Sequence, residues 1–500
     1  MKSNYSPEAI KRVGVIVTLA GINFLNTMGS GILIAALPRI AKDLNIPDGL
    51  ILWPAAVYAL AAGCLLHVFG SVADMIGPKK LWITGSFLFA VFTIAVGFAS
   101  SGIQIIIFRT CLGVAIAMCL PTTTSLITNT FMRGPWRTTA FAMSGMAQPL
   151  GYALGLVLGG VFTDTIGWRW SYYIMAMINF CISLVSIWSL PNVEHASKKT
   201  WKKQLREDVD WVGVIALSVA LALLLYVLAM LTSSYRNIYE SSNICLLTLA
   251  LLMLSTFPFW MYIQNKRGRP ALIPNRLWRE AAFTGSCLAV FFCWASLNGI
   301  EYFTTLYFQQ IQGLPALQSS VRYFAQIVVG TSTNVALVYL IPRIKVLTLT
   351  TVSACITLVS PAIMATASLD APYWTGGPFW ALLLCPVNPW VLFSVCNLVI
   401  SDAFPMELQS LAGSVFNAVA QFGNSVGLAM TATIAASVTE HSSSTDAKVA
   451  LMDGFRAAFW TIFASTAIVL IVSSIGLRRA GIAGQAEEDA QAEILRGESV

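Results

Sequence analysis

Long apolar runs alternate with short charged segments along almost the whole chain. A run of about 20 apolar residues crosses a bilayer as a helix, because each residue adds about 1.5 Å. On this rule the sequence predicts an all-α integral membrane protein with fourteen transmembrane helices. They are expected at residues 13–37, 51–73, 81–99, 103–127, 138–162, 172–191, 211–232, 243–264, 282–304, 322–341, 347–368, 378–401, 410–437 and 456–477.

A charged stretch after the sixth predicted span divides the chain. Residues 1–191 are expected to form a six-helix bundle, and residues 282–477 a second one. Residues 192–281 would supply a cytoplasmic linker and two extra helices, and residues 478–500 a cytoplasmic tail. No internal repeat is visible in the residues themselves.

The basic residues predict the orientation. With a cytoplasmic N-terminus, the segments facing the cytoplasm hold about three times as many Lys and Arg residues as the opposite segments. Both termini are therefore expected in the cytoplasm. The charge-free run 13–37 is longer than the apolar core of a signal peptide, so it is expected to remain as a spanning helix.

Composition excludes several classes of function. The chain is 57% hydrophobic and only 11% charged, whereas a soluble domain carries about 25% charged residues. The net charge of +7 does not indicate nucleic-acid binding, because the basic residues flank the predicted spans. The ten cysteines lie in apolar runs without a CxxC pair, and no metal-ligand cluster is visible. No cofactor, metal or enzymatic activity is predicted.

Residues Gly70–Lys80, reading GSVADMIGPKK, join the second and third predicted spans. Gly77 permits a tight reversal at positive φ, and Asp74 can accept hydrogen bonds at a helix start. Lys79 and Lys80 suit an anionic membrane surface. This pattern resembles the loop between helices 2 and 3 of major facilitator superfamily transporters, which implies a gating role. A generic polar hairpin is the alternative.

The fourth span carries Arg109, a charge that is costly within a bilayer and should face the bundle interior. Arg109-x-x-x-Gly113 resembles the motif of the same family in which the arginine takes part in proton coupling. An arginine bonded only to backbone carbonyls is the alternative. Thr122 and Thr123, next to Pro121, offer hydroxyls to a substrate cavity or to their own helix.

The fifth span has glycines on one face, which allow a neighbouring helix to approach closely. They are Gly151, Gly155 and Gly159, with Gly160 adjacent. The stretch resembles the antiporter motif of drug:proton exporters, although Leu156 stands where that motif has proline and Pro149 lies upstream. Helix packing alone is the alternative explanation.

The first span ends in Ala36-Leu37-Pro38, which resembles the first-helix motif of fourteen-span drug exporters. That motif usually carries an aspartate about nine residues earlier, where this chain has Gly29, with Asn26 nearby. Two other ionisable side chains lie within spans. His67 titrates near neutrality or is a packing residue. Glu301 is a buried proton carrier or a wetted interfacial carboxylate.

The thirteenth span places three amides on one helix face, and facing lipid would be costly for them. Asn417, Gln421 and Asn424 are therefore expected to line a polar cavity together with Asn26. This span, with LNTMGSGI, LWPAAVYALAAGCL and TDTIGWRW, resembles the fungal aminotriazole-resistance branch of the fourteen-span drug:proton antiporters. The resemblance covers residues 13–477.

The resemblance implies a plasma-membrane efflux transporter that exports a drug, toxin or secondary metabolite by proton antiport through alternating access. Its partners would be the small-molecule substrate, protons and the lipid bilayer, and it would work as a monomer without nucleic acid or cofactor. Three alternatives stay open: an uncoupled facilitator, an importer of a nutrient or ammonium, and a non-transporting membrane sensor on the same fold.

Overall fold

Every regular element of the described residues is helical in the computed structural model, so the all-α prediction is confirmed for this part of the chain. The structure describes residues 7–47, 50–51, 53–131, 135–192, 210–233, 235–269, 273, 277–404, 406–478 and 481.

The helices are numbered here in chain order. They are α1 (Pro7–Asp43), α2 (Trp53–Ile76), α3 (Pro78–Gly97), α4 (Gly102–Thr130), α5 (Pro135–Asp164), α6 (Arg169–Ser189), α7 (Trp211–Ser233), α8 (Ser241–Lys266), α9 (Ala281–Leu306), α10 (Ala316–Val321), α11 (Phe324–Leu340), α12 (Val346–Thr366), α13 (Pro378–Leu384), α14 (Val387–Ala403), α15 (Met406–Glu440) and α16 (Ala447–Gly476). Short 3₁₀ turns lie at Tyr235–Tyr239 and Leu277–Arg279, and a π turn at Tyr307–Ile311 extends α9.

Twelve spans within the described residues are long and apolar enough to cross a membrane, which makes the chain a multi-pass membrane protein. The sequence predicted fourteen. The two further predicted spans correspond to α2, of 24 residues, and α15, of 35 residues, neither of which is among the twelve. The count of fourteen stays a prediction.

Some helix boundaries differ from those predicted. The first span was expected to end at residue 37, but α1 continues through Pro38 to Asp43. Arg39 pairs with Asp43 one turn later, with Nε and Oδ1 3.1 Å apart, so the charged segment extends the helix. The predicted span 378–401 is interrupted at Cys385 and Pro386, because proline cannot donate a hydrogen bond within the helix.

The helices pack in two groups with matching neighbours. In the first group α1 packs against α5 and α6, and α3 packs against α4 and α6. In the second group α9 packs against α15 and α16, and α12 packs against α14 and α16. This correspondence is an internal repeat of packing, although none is visible in the residues. The groups meet where α2 contacts α15 and where α5 contacts α11.

Helix α7 lies against both groups, because it packs on α2 and on α15. The Ser218 hydroxyl donates to the Cys64 carbonyl of α2 at 3.0 Å. Asp210 caps α7 by accepting from the Gly213 N–H at 2.9 Å, and it also accepts from the Trp260 indole of α8 at 3.0 Å. These bonds fasten the α7–α8 hairpin at its base, while α8 stays largely exposed.

Helices α1 and α5 touch backbone to backbone. A Cβ atom added to the α5 glycines would lie closer to α1 than real Cβ atoms come to other atoms. It would lie 2.1 Å from the Phe24 oxygen at Gly151, 2.2 Å from the Met28 oxygen at Gly155 and 2.9 Å from the Ile32 Cα at Gly159. Gly160 is buried beside them. The predicted glycine face is therefore a packing surface.

The second group repeats this arrangement between α9 and α15. A Cβ at Gly423 would lie 2.2 Å from the Phe291 oxygen, and one at Gly427 would lie 2.4 Å from the Ala295 Cα. Both pairs of helices thus come close because one of them lacks side chains at the contact.

Replacing Gly155 by alanine should destabilise the protein, although alanine favours helix formation. The added methyl group would overlap the Met28 carbonyl, and such overpacking costs about 1–3 kcal/mol. Thermal unfolding of the purified protein would report the change. The control is Gly14→Ala on α1, whose Cβ would lie 3.5 Å from the Ser189 Cβ, an ordinary contact. Equal unfolding temperatures for both variants would contradict a close contact between α1 and α5 at Gly155.

Candidate functional site

A cavity of about 180 Å³ lies between the two groups of helices. An engineered cavity of about 150 Å³ holds one benzene molecule, so this one has room for a small substituted ring. Aromatic and polar side chains from both groups form its wall. Those named below are Asn26, Trp53, Tyr58, Arg109, Gln148, Tyr152, Tyr226, Trp294, Glu301, Tyr323, Gln326, Trp390, Phe393, Asn417, Gln421 and Asn424.

Arg109 lies in the cavity wall, about 10 Å along α4 from its first residue, and is only 2% exposed. Its Nε donates to the Pro54 carbonyl at 3.2 Å, and its guanidinium carbon lies 4.5 Å from the centre of the Tyr58 ring. The Tyr58 hydroxyl donates to the Asn26 Oδ1. Within the described residues no carboxylate pairs with Arg109, so a carbonyl dipole and an aromatic face stabilise its charge.

Gly29 is the position where the resembled motif has an aspartate, and it lies beside this arginine. A Cβ built on Gly29 would be 3.9 Å from the Arg109 Nη1. The Met175 thioether fills the adjacent space, with its sulfur 3.3 Å from that Cβ position. A carboxylate at this position would therefore have been the partner of Arg109.

Glu301 lies on the second group of helices and is 5% exposed, so the structure places it in the interior rather than at a wetted interface. Its carboxylate accepts from the Gln326 amide of α11. The Tyr152 hydroxyl of α5 approaches the same carboxylate without completing a hydrogen bond of normal geometry. The Glu301 backbone oxygen accepts from the Tyr323 hydroxyl at 2.7 Å. The carboxylate thus lies where the two groups of helices meet.

The structure brings together the amides that the sequence placed in one cavity. Asn26, Asn417, Gln421 and Asn424 all line it. The Asn417 amide donates to the Gly413 carbonyl of its own helix at 2.9 Å, whereas the Asn424 Oδ1 has no hydrogen-bond partner among the described residues. The cavity wall therefore offers uncharged hydrogen-bonding groups from α1 and α15.

The two threonines of α4 do not line this cavity. The Thr122 hydroxyl donates to the Met118 carbonyl at 2.7 Å, so it bonds its own helix. Thr123 does the same and also accepts from the Trp82 indole at 3.0 Å. Of the two alternatives that the sequence left open, bonding within their own helix is the one observed for both hydroxyls.

We call the end of the bundles at which Gly77 lies the hairpin end. A second cavity of about 60 Å³ lies toward this end. Thr123 lines it together with Asn23, Ser144, Asn334 and Asn397. Four residues border both cavities: Leu120, Gln148, Phe393 and Asn417. They form the partition between the two spaces.

The hairpin between α2 and α3 turns on one residue. Gly77 has a φ of 106°, as the sequence predicted, and α3 starts at Pro78. Lys79 is partly buried and Lys80 is exposed. A Cβ at Gly70 would lie 3.1 Å from the Ser414 Oγ, so α2 meets α15 near this end. The side chains of His67 and Asp74 lie outside the part of the chain that the structure describes.

Several wall residues were not identified from the sequence. Tyr58, Tyr152, Gln326, Trp294 and Trp390 all contribute. The rings of Trp294 and Trp390 meet edge to face with centroids 5.8 Å apart. The indole N–H groups of both have no partner among the described residues, and the same holds for Trp53. A tryptophan well inside a predicted span, as Trp294 is, was the available signal, since interfacial tryptophans lie near span ends.

Two matching groups of membrane helices around a central cavity with both polar and aromatic walls define a secondary transporter. Residues 19–428 match the profile of the Major Facilitator Superfamily, so the chain belongs to that family.

Curated relatives agree with this assignment. The chain is 44% identical to "MFS-type transporter 1" of Pyricularia oryzae, over 95% of this chain and 85% of the relative. It is 25% identical to the "Low affinity ammonium transporter" of Saccharomyces cerevisiae, over 84% and 81%. It is 24% identical to the "Aminotriazole resistance protein" of the same yeast, over 96% and 87%.

The fold is also similar to the crystal structure of the human organic anion transporter MFSD10, with a TM-score of 0.60. That likeness covers 94% of this chain and all of the other, at 13% identity. At this identity the likeness concerns the fold alone.

Replacing Tyr58 by leucine should destabilise the protein more than replacing it by phenylalanine. Phenylalanine keeps the aromatic face under Arg109, whereas leucine removes a buried cation–π contact worth about 2 kcal/mol. Thermal unfolding of the two purified variants measures the difference. Both variants lose the bond to Asn26, so that bond does not contribute to the comparison. Identical unfolding temperatures would show that the ring does not stabilise the guanidinium.

Proposed function

We propose that the chain is a secondary exporter of the fourteen-helix drug:proton antiporter type, in its fungal aminotriazole-resistance branch. It would release a small organic compound across the plasma membrane as a monomer, in exchange for protons. The relative named for aminotriazole resistance supports export. The cavity volume and its aromatic wall favour a compound the size of a small ring that carries hydrogen-bond acceptors for the unpaired indole groups.

Fourteen crossings follow if α2 and α15 also span the bilayer. Helix α2 is about 36 Å long and α15 about 52 Å, and both exceed a hydrocarbon core of about 30 Å. Each of them contacts the other group of helices and contributes polar groups to the cavity. With both termini in the cytoplasm, the hairpin end faces inward.

Alternating access would move one six-helix bundle, residues 1–191, against the other, residues 282–477, about the central cavity. Residues 192–281 would supply the linker and the α7–α8 hairpin. Asp74, Lys79 and Lys80 would stabilise the closed state at the hairpin end, where Gly70 of α2 approaches Ser414 of α15. The partition between the two cavities would separate the substrate site from the inner opening.

The proposal of proton exchange rests mainly on the position of Glu301. It is the one acidic residue in the described wall of the central cavity. Gln326 of the second bundle donates to its carboxylate, and the Tyr152 hydroxyl of the first bundle lies near it, so its protonation would change the surroundings of both bundles. A proton on Glu301 removes the carboxylate charge that a substrate donor group would bind, which makes proton and substrate compete. Arg109 and His67 would adjust this step from the first bundle.

An uncoupled facilitator is the second candidate, and Gly29 favours it. The missing first-span carboxylate would otherwise have paired with Arg109, so one expected proton carrier is lacking. The relative named as a low-affinity ammonium transporter fits an importer equally well.

Transport in sealed inside-out vesicles separates these possibilities. With an acidic lumen, wild-type vesicles should accumulate members of a dye and drug panel. Glu301→Gln should lose at least about 90% of the gradient-driven uptake, because glutamine cannot exchange a proton. Glu440→Gln is the matched control, since Glu440 is a surface carboxylate paired with Arg236 and should leave uptake unchanged.

Gradient-driven uptake that persists in Glu301→Gln would reject this residue as the proton carrier. Uptake by wild-type vesicles that is indifferent to the pH gradient would favour the facilitator.

A further inference from the structure

Arg109 keeps unused hydrogen-bond donors inside the membrane. Only its Nε–H is bonded, to the Pro54 carbonyl, and the residue lines the central cavity. Its terminal nitrogens have no partner among the described residues, although the residue is only 2% exposed. A buried charge of this kind is costly unless an opposite charge lies beside it.

No side chain in the described part of the chain supplies that opposite charge. Glu301 lines the same cavity, but its carboxylate accepts from Gln326 of the second bundle, and no ion pair joins it to Arg109. The Tyr58 ring compensates the charge only in part, since it covers one face of the guanidinium. The edge that carries the terminal nitrogens stays open to the cavity.

Asn26 adds a second free donor at the same place. The Tyr58 hydroxyl donates to its Oδ1, which orients the amide. The Nδ2 group then has no acceptor among the described residues, and Asn26 also lines the cavity. An arginine edge and an amide NH₂ together form a set of donors without an acceptor, which is the chemistry of an anion site.

Gly29 explains why the site is open. A carboxylate on this residue would reach Arg109, because its Cβ would lie 3.9 Å from Nη1. In this chain the neighbouring space holds the Met175 thioether, a flexible group that can move aside.

We propose that a soluble anion takes the place of the missing carboxylate. Arg109 and Asn26 bind a small monovalent anion in the central cavity, either an inorganic ion such as chloride or the carboxylate of a small organic acid. This site goes beyond the proposed exporter function, and it holds whether or not transport is coupled to protons.

The experiment measures thermal unfolding of the purified full-length protein in nanodiscs at constant ionic strength. Sodium gluconate, whose anion is bulky, is the reference salt. Sodium chloride tests the inorganic ion, sodium benzoate tests the organic acid, and benzamide is the neutral counterpart of benzoate. The four proteins are the wild type, Gly29→Asp, Gly29→Asn and Arg109→Gln.

Chloride or benzoate should raise the unfolding temperature of the wild type and of Gly29→Asn, and benzamide should not. Gly29→Asp carries its own carboxylate and Arg109→Gln lacks the charge, so each should lose at least about tenfold in apparent anion affinity. If Gly29→Asp does not fold, the proposal is still tested by two variants with opposite expected results. Gly29→Asn should keep the response to the anion, and Arg109→Gln should lose it.

A response to chloride identifies an inorganic ion, and a response to benzoate alone identifies an organic acid. Absence of any anion effect on the wild type overturns the proposal. An equal effect on the wild type and Arg109→Gln overturns it as well, because the anion would then act elsewhere. The unfolding experiment measures anion binding without transport. Its result therefore does not depend on whether the vesicle assay supports proton-coupled export.

Discussion

The close approach of α1 and α5 determines which side chains share one wall of the cavity. Because glycines leave the two backbones in contact, Asn26 on α1 and Tyr152 on α5 both reach the same space. The second group uses the same device between α9 and α15, and there it brings Glu301 and Asn424 into one wall. A bulkier contact would separate the helices and disperse these groups, since helix spacing depends on the side chains at the interface.

The two charged residue types in the described part of the wall, Arg109 and Glu301, are stabilised by different means. Arg109 depends on a carbonyl and an aromatic ring, and Glu301 depends on an amide and a nearby hydroxyl. Dipoles of this kind lower the cost of a charge without neutralising it, so both sites stay responsive to a ligand or a proton. A full ion pair would have fixed both groups in one state.

Length and apolarity were enough to predict the helices, and the alternation of charged loops predicted where most of them end. The positive φ of Gly77 also followed from its place in the short polar stretch between two predicted spans. The continuation of α1 through Pro38 and the break at Pro386 could not be predicted from the sequence. A proline is compatible with either outcome, and contacts with neighbouring helices decide whether the helix continues.

The amides of α15 were placed in the cavity by their shared face, whereas Tyr58, Trp294 and Gln326 were missed. The rotation of each helix about its axis decides which residues face inward, and that rotation is a result of packing. Thr122 shows the same limit, since the sequence left open whether its hydroxyl would face the cavity or bond its own helix.

Helix α7 contacts one helix from each bundle, and its Tyr226 ring meets Trp53 in the cavity wall with centroids 5.7 Å apart. The α7–α8 hairpin is therefore packed into the rest of the structure. Excising α7 and α8 to obtain a minimal twelve-helix protein would uncover the groove between α2 and α15 to lipid. It would also remove part of the surface that surrounds a bound molecule, so a shortened chain would differ in what it accepts as well as in how well it folds.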